Sequence, residues 1–312
     1  MRDEQLLIVS VIGSILAVAS LVGLRLRVSV QEGAMVDAVE NLNTRIRAWW
    51  WIVLIFGSAV LTGRLAVIVL FAVISFIALR EFLTTTAIQA VDRRTVVASF
   101  LIALPAQYAL IAFGRYDWFA GFSPLFGLLF VPLLNVLAGD ARNYLARTAE
   151  LLLGLVICVY CISYVPALLM LHITGYQGRQ MLLVVFLILV TQTSDVLQYV
   201  WGKLVGRNKI APEISPSKTV EGLIGGVACA TALGAGLWWI TPFSVVQAAV
   251  MAFLITLTGF LGGLVMSAIK RDRGVKDWSQ FIPGHGGMLD RVDSICFSAP
   301  MFFYLTRGFF GS

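Results

Sequence analysis

The chain has 312 residues, of which 59% are hydrophobic and only 13% charged. Ordinary soluble domains carry about 25% charged residues, so a water-soluble enzyme or binding module is excluded. The net charge of +6 could suit nucleic acid, but the cations are dispersed among loops between apolar stretches, and no nucleic-acid partner is expected. The composition is that of an integral membrane protein.

A spanning helix needs roughly 20 mostly apolar residues, a measure that predicts about ten spans here. They centre on residues 6–24, 49–63, 64–79, 95–113, 118–138, 151–172, 181–202, 222–240, 245–269 and 293–310. The expected fold is all-α and polytopic, with polar loops at one membrane face. Residues 6–24 read as a retained helix rather than a signal peptide, because "MRDEQ" holds more acid than base. The segment "RLRVSVQEGAMVDAVENLNTRIR" is expected to form an amphipathic surface helix. The second and third spans share a turn at Gly63-Arg64.

Charge sets the expected orientation. Alternate loops hold 18 of the 23 Lys/Arg, and Arg2, Arg64, Arg115, Arg179 and Arg307 make up the remainder on the other side. The richer loops belong in the cytoplasm, with both termini opposite. Cys158 and Cys161 form a C-x-x-C inside an apolar span, where packing explains them better than metal or redox chemistry. The chain divides into an N-terminal transmembrane region, 1–175, with few polar residues in its spans, and a C-terminal region, 176–312, that carries the candidate chemistry.

Within "TQTSDVLQYVWGK", residues 191–203, Thr191, Asp195, Gln198 and Gly202 follow i, i+4, i+7, i+11 spacing and form one polar stripe. Asp195 lies about seven residues, or about 10 Å, from the end of its span. A carboxylate at that depth costs about 3 kcal/mol, so it either bonds a neighbouring helix or faces a polar cavity. The stripe leads into a basic loop, which favours the cavity. In that loop, "LVGRNKIAPEISPSKTVEGLIGG", Thr219 is an N-cap and Glu221 complements the helix dipole. Ser215, Ser217 and Lys218 crowd at the same helix start, where hydroxyls, free N–H groups and a lysine suit a phosphate.

A second polar loop, "KRDRGVKDWSQFIPGHGGMLDRVDS", spans residues 270–294. Asp290 and Asp293, three apart, share a helix face. Two close carboxylates repel unless a cation lies between them, and hard oxygen ligands suit Mg²⁺. The glycines of "GHGG", 284–287, let the backbone approach an anion. Lys270, Arg271, Lys276 and Arg291 can hold several phosphates or meet anionic lipid headgroups. The acids beside them favour the first. His285 fits a structural role as well as a binding one. The combination suits phosphoryl or nucleotidyl transfer between a cytosolic nucleotide and a lipid phosphate.

Residues 267–294 resemble the signature of the phosphatidate cytidylyltransferases (CDP-diacylglycerol synthases): S-x-x-K-R, four residues, K-D, then P-G-H-G-G-x-x-D-R-x-D. Ser267, Lys270, Arg271, Lys276, Asp277, Pro283, His285, Gly286, Gly287, Asp290, Arg291 and Asp293 match it. "APEISPSKTVEGLIGG" is similar to the family's S-P-K-K-T-x-E-G segment, with Ser217 where Lys is common. The likeness is good over residues 180–310.

The resemblance implies a Mg²⁺-dependent reaction of CTP with phosphatidic acid, giving CDP-diacylglycerol and pyrophosphate. By the same likeness, Asp290 and Asp293 hold the metal, and Lys218, Lys270, Arg271, Lys276 and Arg291 hold phosphates beside Ser215 and Thr219. His285, Gly286 and Gly287 shape the pocket, while Asp277 and Asp195 orient the cations or bind a second ion. A bacterial inner membrane and a homodimer are further implications.

There are departures. Gly263 stands where many members carry Asp, and Gln198 and Lys203 replace Ala and Arg. They leave two alternatives: a cytidylyltransferase for a different lipid phosphate, or a weakened paralogue that binds anionic lipid or nucleotide. Gly263 shares a helix face with Ser267 and Lys270, and either weakens a metal site or serves, with Gly262, as a packing contact.

The orientation is testable with single cysteines at Asn208 and Gln280 in a background lacking the four native ones. An impermeant thiol reagent should leave both unlabelled on intact cells and label both after permeabilisation. Labelling of both from outside would invert the topology.

Overall fold

The computed structural model describes residues 2–29, 34–86, 90–281 and 286–311. The described residues form an all-α polytopic bundle. In chain order the helical rods are α1 (Arg2–Ser29), α2 (Ala34–Thr62), α3 (Arg64–Thr85), α4 (Arg93–Ala112), α5 (Tyr116–Leu137), α6 (Tyr144–Met170), α7 (Gln180–Leu204), α8 (Val220–Gly236), α9 (Val245–Asp272) and α10 (Leu289–Phe310). Six of them, α3 to α7 and α9, are long and apolar enough to cross a membrane. The apolar parts of α1, α2 and α8 are shorter than that measure. Of the segment expected to form a separate surface helix, residues 25–29 end α1 and 34–47 begin α2, while 30–33 lie outside the described residues.

Local chemistry explains the breaks. Gly63, at φ 120°, separates α2 from α3, a conformation that a side chain would oppose. Prolines 105, 132 and 166 lie inside α4, α5 and α6, each following a widened π-type turn, at 99–103, 126–130 and 156–161. Proline has no N–H to donate back along the helix, and the widened turns absorb the misfit without ending the rod.

Helix α7 packs against α8, α9 and α10, and α6 packs against α3 and α10. Small residues bring these rods close, as expected where no hydrophobic force drives helices together. A Cβ on Gly226 of α8 would lie 2.8 Å from the Gln198 amide nitrogen of α7, and one on Gly262 of α9 would lie 2.8 Å from Cβ of Phe297 on α10. The N-terminal region is stitched by buried polar contacts. Gln107 donates to Ser163 (3.2 Å) and accepts from Ser123 (2.9 Å), and Asn135 links Thr95 (2.6 Å) to Thr148 (3.0 Å). Cys158 is buried in the core and Cys161 packs half-buried against it, both as free thiols, as the packing reading expects.

The connection between α7 and α8 is not plain loop. It folds into a small antiparallel hairpin, β1 (Lys209–Ala211) and β2 (Ser215–Thr219), pairing Lys209 with Thr219 and Ala211 with Ser215. Both chain ends lie at the far end of the bundle: Glu4 pairs with Arg179 at 2.7 Å, and Gly311 bridges to Ile173. At the near end, Arg147 on α6 is buried between Asp92 (3.5 Å, fully buried) and Asp140 (3.5 Å).

Removing one partner of a buried pair strands the other charge at a cost of about 3–5 kcal/mol. Arg147→Met should therefore lower the thermal unfolding midpoint of the detergent-solubilised protein clearly, and Asp140→Asn, more exposed, should lower it much less. Equal midpoints for Arg147→Met and the unaltered protein would show that the cluster does not hold this end together.

Candidate active site

The near end of the bundle gathers the polar residues of both C-terminal loops. Asp195 projects from α7 and Asp293 from the first turns of α10. The hydroxyl of Ser294 joins them: it donates to Asp195 Oδ1 at 3.0 Å and lies 3.5 Å from Asp293 Oδ1. The Ser294 amide also donates to Asp293 Oδ1, at 2.7 Å. Lys218, near the end of β2, points into the same space. Its ammonium donates to the Phe260 carbonyl at 3.4 Å and stands 4.7 Å over the Phe260 ring. Burial pushes this lysine below the ordinary lysine range, while Asp293 and Asp195 pull it back up.

Asp290 is placed differently from Asp293. One oxygen accepts from Lys270 Nζ at 2.7 Å, and the other accepts the backbone amides of Trp278 (3.0 Å) and Gly287 (2.9 Å). Both oxygens thus fix the loop between α9 and α10 to its own helices. Gly286, at φ +80°, turns the chain tightly here, and a Cβ on it would lie 2.8 Å from Asp290 Oδ2. The carboxylate that shares a hydroxyl with Asp293 is Asp195, not Asp290.

The other sequence candidates divide by contact. Thr219 caps α8, accepting from the Gly222 amide at 3.1 Å, as its position at a helix start predicts. Glu221 turns back to accept the amides of Arg207 (3.0 Å) and Asn208 (3.2 Å), closing the hairpin. Ser215 is buried at the start of β2. Arg271 ties the hairpin to α9 by donating to the Ile214 carbonyl at 3.2 Å, and also donates to Val275 at 3.1 Å. Lys276 and Asp277 are exposed at the mouth. Among the described residues, the buried Nε of Arg291 has no hydrogen-bond partner, so its guanidinium has a donor to spare for an anion. His285 lies outside the described residues.

Two carboxylates from the N-terminal region reach this site, and sequence reasoning missed both. Glu81, near the end of α3, accepts from Ser279 Oγ (2.6 Å) and from the amides of Met288 (2.9 Å) and Leu289 (2.8 Å). It caps the start of α10, satisfying helix N–H groups that have no partner within the helix. Its neighbour Phe82 stacks on the buried Trp278 at 5.3 Å between ring centres. Glu150 on α6 pairs with Arg273 at 2.6 Å. The available signal was Glu81 itself, an acid beside Arg80 near the end of the apolar span that closes with "FIALREFLTT".

The glycine pair of α9 is resolved by position. Gly262 meets Phe297 and is the packing contact. Gly263 faces the site, where a Cβ would stand 2.7 Å from Lys218 Nζ and 3.8 Å from Ser294 Oγ.

Comparison with known proteins agrees with this architecture. The model described as "Cytidylyltransferase family" matches residues 43–309. The chain belongs to the cytidylyltransferase family. That match extends through most of the N-terminal region, well beyond the segment legible by eye. Among curated relatives, the "Uncharacterized protein YnbB" of Escherichia coli (strain K12) is 41% identical over 271 residues, 86% of this chain and 88% of its own length. A "Phosphatidate cytidylyltransferase" of Staphylococcus aureus (strain COL) is 29% identical over 254 residues, 80% of this chain and 92% of its own. A protein of the same name from Synechocystis sp. is 44% identical over 113 residues, 36% of this chain and 38% of its own. As a family member the protein is a nucleotidyltransferase embedded in a membrane.

The Glu81 clamp makes a test that needs no substrate. Glu81→Ala should free the loop, so that trypsin cuts after Arg273 and Lys276 at least about tenfold faster, a change equivalent to about 1.4 kcal/mol of lost closure. Glu81→Gln, which keeps one acceptor oxygen, should fall between. Unchanged cleavage in a folded Glu81→Ala protein would show that the loop is held by other contacts.

Proposed function

We propose that the protein transfers the cytidylyl group of CTP to phosphatidic acid, giving CDP-diacylglycerol and pyrophosphate. The observation that supports this best is the joining of Asp195 and Asp293 through Ser294, with Lys218 beside them. Among the described residues, Arg291 Nε adds a buried donor without a hydrogen-bond partner. Two relatives are similar over 86% and 80% of the chain, and one of them carries the name of this activity.

In this reading a phosphate oxygen of the lipid forms a bond to the α-phosphorus of CTP. The bond from that phosphorus to the bridging oxygen breaks, and the electron pair leaves with pyrophosphate. The residues do little covalent work; they hold charged groups in line and neutralise them. Lys218 and Arg291 are set to hold phosphates inside the site, with Lys276 and Arg271 at the mouth. Lys270 is set at the loop by Asp290. The exposed apolar surface of the bundle leaves the lipid's acyl chains in the bilayer while its phosphate enters from the side.

A divalent cation fits the donor set. Two carboxylates and a hydroxyl meet at one point, and Mg²⁺ is commonly held by one or two carboxylates while water and substrate phosphates complete its shell. Among the described residues no group of three or more His, Cys, Asp or Glu makes a protein-only cage. We assign this role to Asp293 with Asp195, and to Asp290 the positioning of the loop that carries Gly286 and Gly287. When bound, Mg²⁺ would supply positive charge to the phosphates undergoing substitution. The site loops would face the cytoplasm, where the nucleotide is.

Purified protein should convert labelled CTP and phosphatidic acid into CDP-diacylglycerol. Asp195→Asn and Asp293→Asn should each lower kcat by about a hundredfold or more, with a raised Mg²⁺ requirement. Asp290→Asn should lower activity without moving the Mg²⁺ requirement. No product from the unaltered protein with this lipid, but product with another lipid phosphate, would reassign the acceptor.

A further inference from the structure

Lys218 and Gly263 occupy one space. The ammonium lies 2.7 Å from the point where a side chain at 263 would begin, closer than ordinary contact permits. Any larger residue there would have to move it. The same point is 3.8 Å from Ser294 Oγ, the hydroxyl that joins Asp195 to Asp293. The lysine is held lightly, by a 3.4 Å contact to the Phe260 carbonyl and by the face of the Phe260 ring. A positive charge therefore sits beside two carboxylates because residue 263 has no side chain to fill that place.

We infer that Lys218, seated in the notch left by Gly263, is a built-in cation for the Asp195–Asp293 pair and weakens the binding of a free divalent ion by that pair. Two half-buried carboxylates that share one hydroxyl repel each other, and a cation or a proton must offset them. A tethered ammonium does so with no entropy lost to capture, and a divalent ion arriving alone must compete with it. Phosphates entering the site attract the same ammonium and can draw it away from Phe260. The ion then binds best together with the substrate's phosphates. This inference rests on the assignment of a divalent cation to Asp195 and Asp293, and not on which nucleotide or lipid is used.

The test is a titration of the purified full-length protein with Mn²⁺, followed by electron paramagnetic resonance, with no nucleotide or lipid added. Lys218→Met should bind Mn²⁺ at least about tenfold more tightly than the unaltered protein, since the charge removed interacts with both Asp293 and Asp195. Gly263→Ala, which displaces the ammonium without changing charge, should also tighten binding, by a smaller factor. Lys209→Met, a loss of charge on the exposed outer strand of the hairpin, should leave the affinity unchanged. Unchanged or weaker Mn²⁺ binding in both Lys218→Met and Gly263→Ala, with both folded, would overturn the inference. So would equal tightening in Lys209→Met, which would reduce the effect to net charge. If Lys218→Met does not fold, Gly263→Ala decides alone. Turnover of CTP and phosphatidic acid is measured separately, so an active enzyme with an indifferent Lys218 loses this inference and keeps the proposed activity.

Discussion

A carboxylate inside an apolar bundle must be met by donors, and the near end of this protein is organised by that demand. Glu81 is answered by a serine hydroxyl and two amides, Asp290 by a lysine and two amides, and Glu150 by an arginine. Each of these acids spends its charge on holding one loop against the helices. Without them the loop would be a flexible connection between two apolar rods. With them, Gly286, Gly287 and the start of α10 have fixed positions, and Asp293 is presented to Asp195 from a rigid base.

This explains how acids of the same kind take unlike parts. Asp290 and Asp293 are one helical turn apart and look equivalent in sequence. The amide-rich loop lies on the side of Asp290 and takes one of its oxygens, while Lys270 takes the other. Asp293 faces α7 instead, where the neighbour is a second carboxylate and a hydroxyl. Gly262 and Gly263 make a similar contrast, since adjacent residues on a helix point about 100° apart. One touches a phenylalanine ring, the other an ammonium.

Much of this was legible in the sequence. The apolar runs gave the rods, Gly63 the break between α2 and α3, and the caps at Thr219 the start of α8, because each depends on neighbours close along the chain. The polar stripe of α7 and the signature loop marked Asp195 and Asp293 as candidates, and the fold brings the two together through Ser294. What could not be read was contact across long separations. Glu81 meets residues about two hundred positions away, and no local pattern announces such a partner. The hairpin at 209–219 was hidden for another reason: its strands are three and five residues long, too short for alternation to show. The pairing of Asp290 with Lys270 and with two loop amides also required the backbone path of the loop.

The Glu81 clamp has a consequence for how the protein is made. Membrane proteins enter the bilayer as they are synthesised, and α3 is inserted while its partners in the loop do not yet exist. At roughly 5–20 residues per second, the 208 positions from Glu81 to Leu289 occupy the ribosome for about 10–40 s. Throughout that interval a carboxylate near the end of a newly inserted helix lacks the amides that will later accommodate it. It must be tolerated by protonation, by lipid headgroups or by the insertion machinery. The first half of the chain is therefore assembled with an open socket, and the start of α10 closes it later.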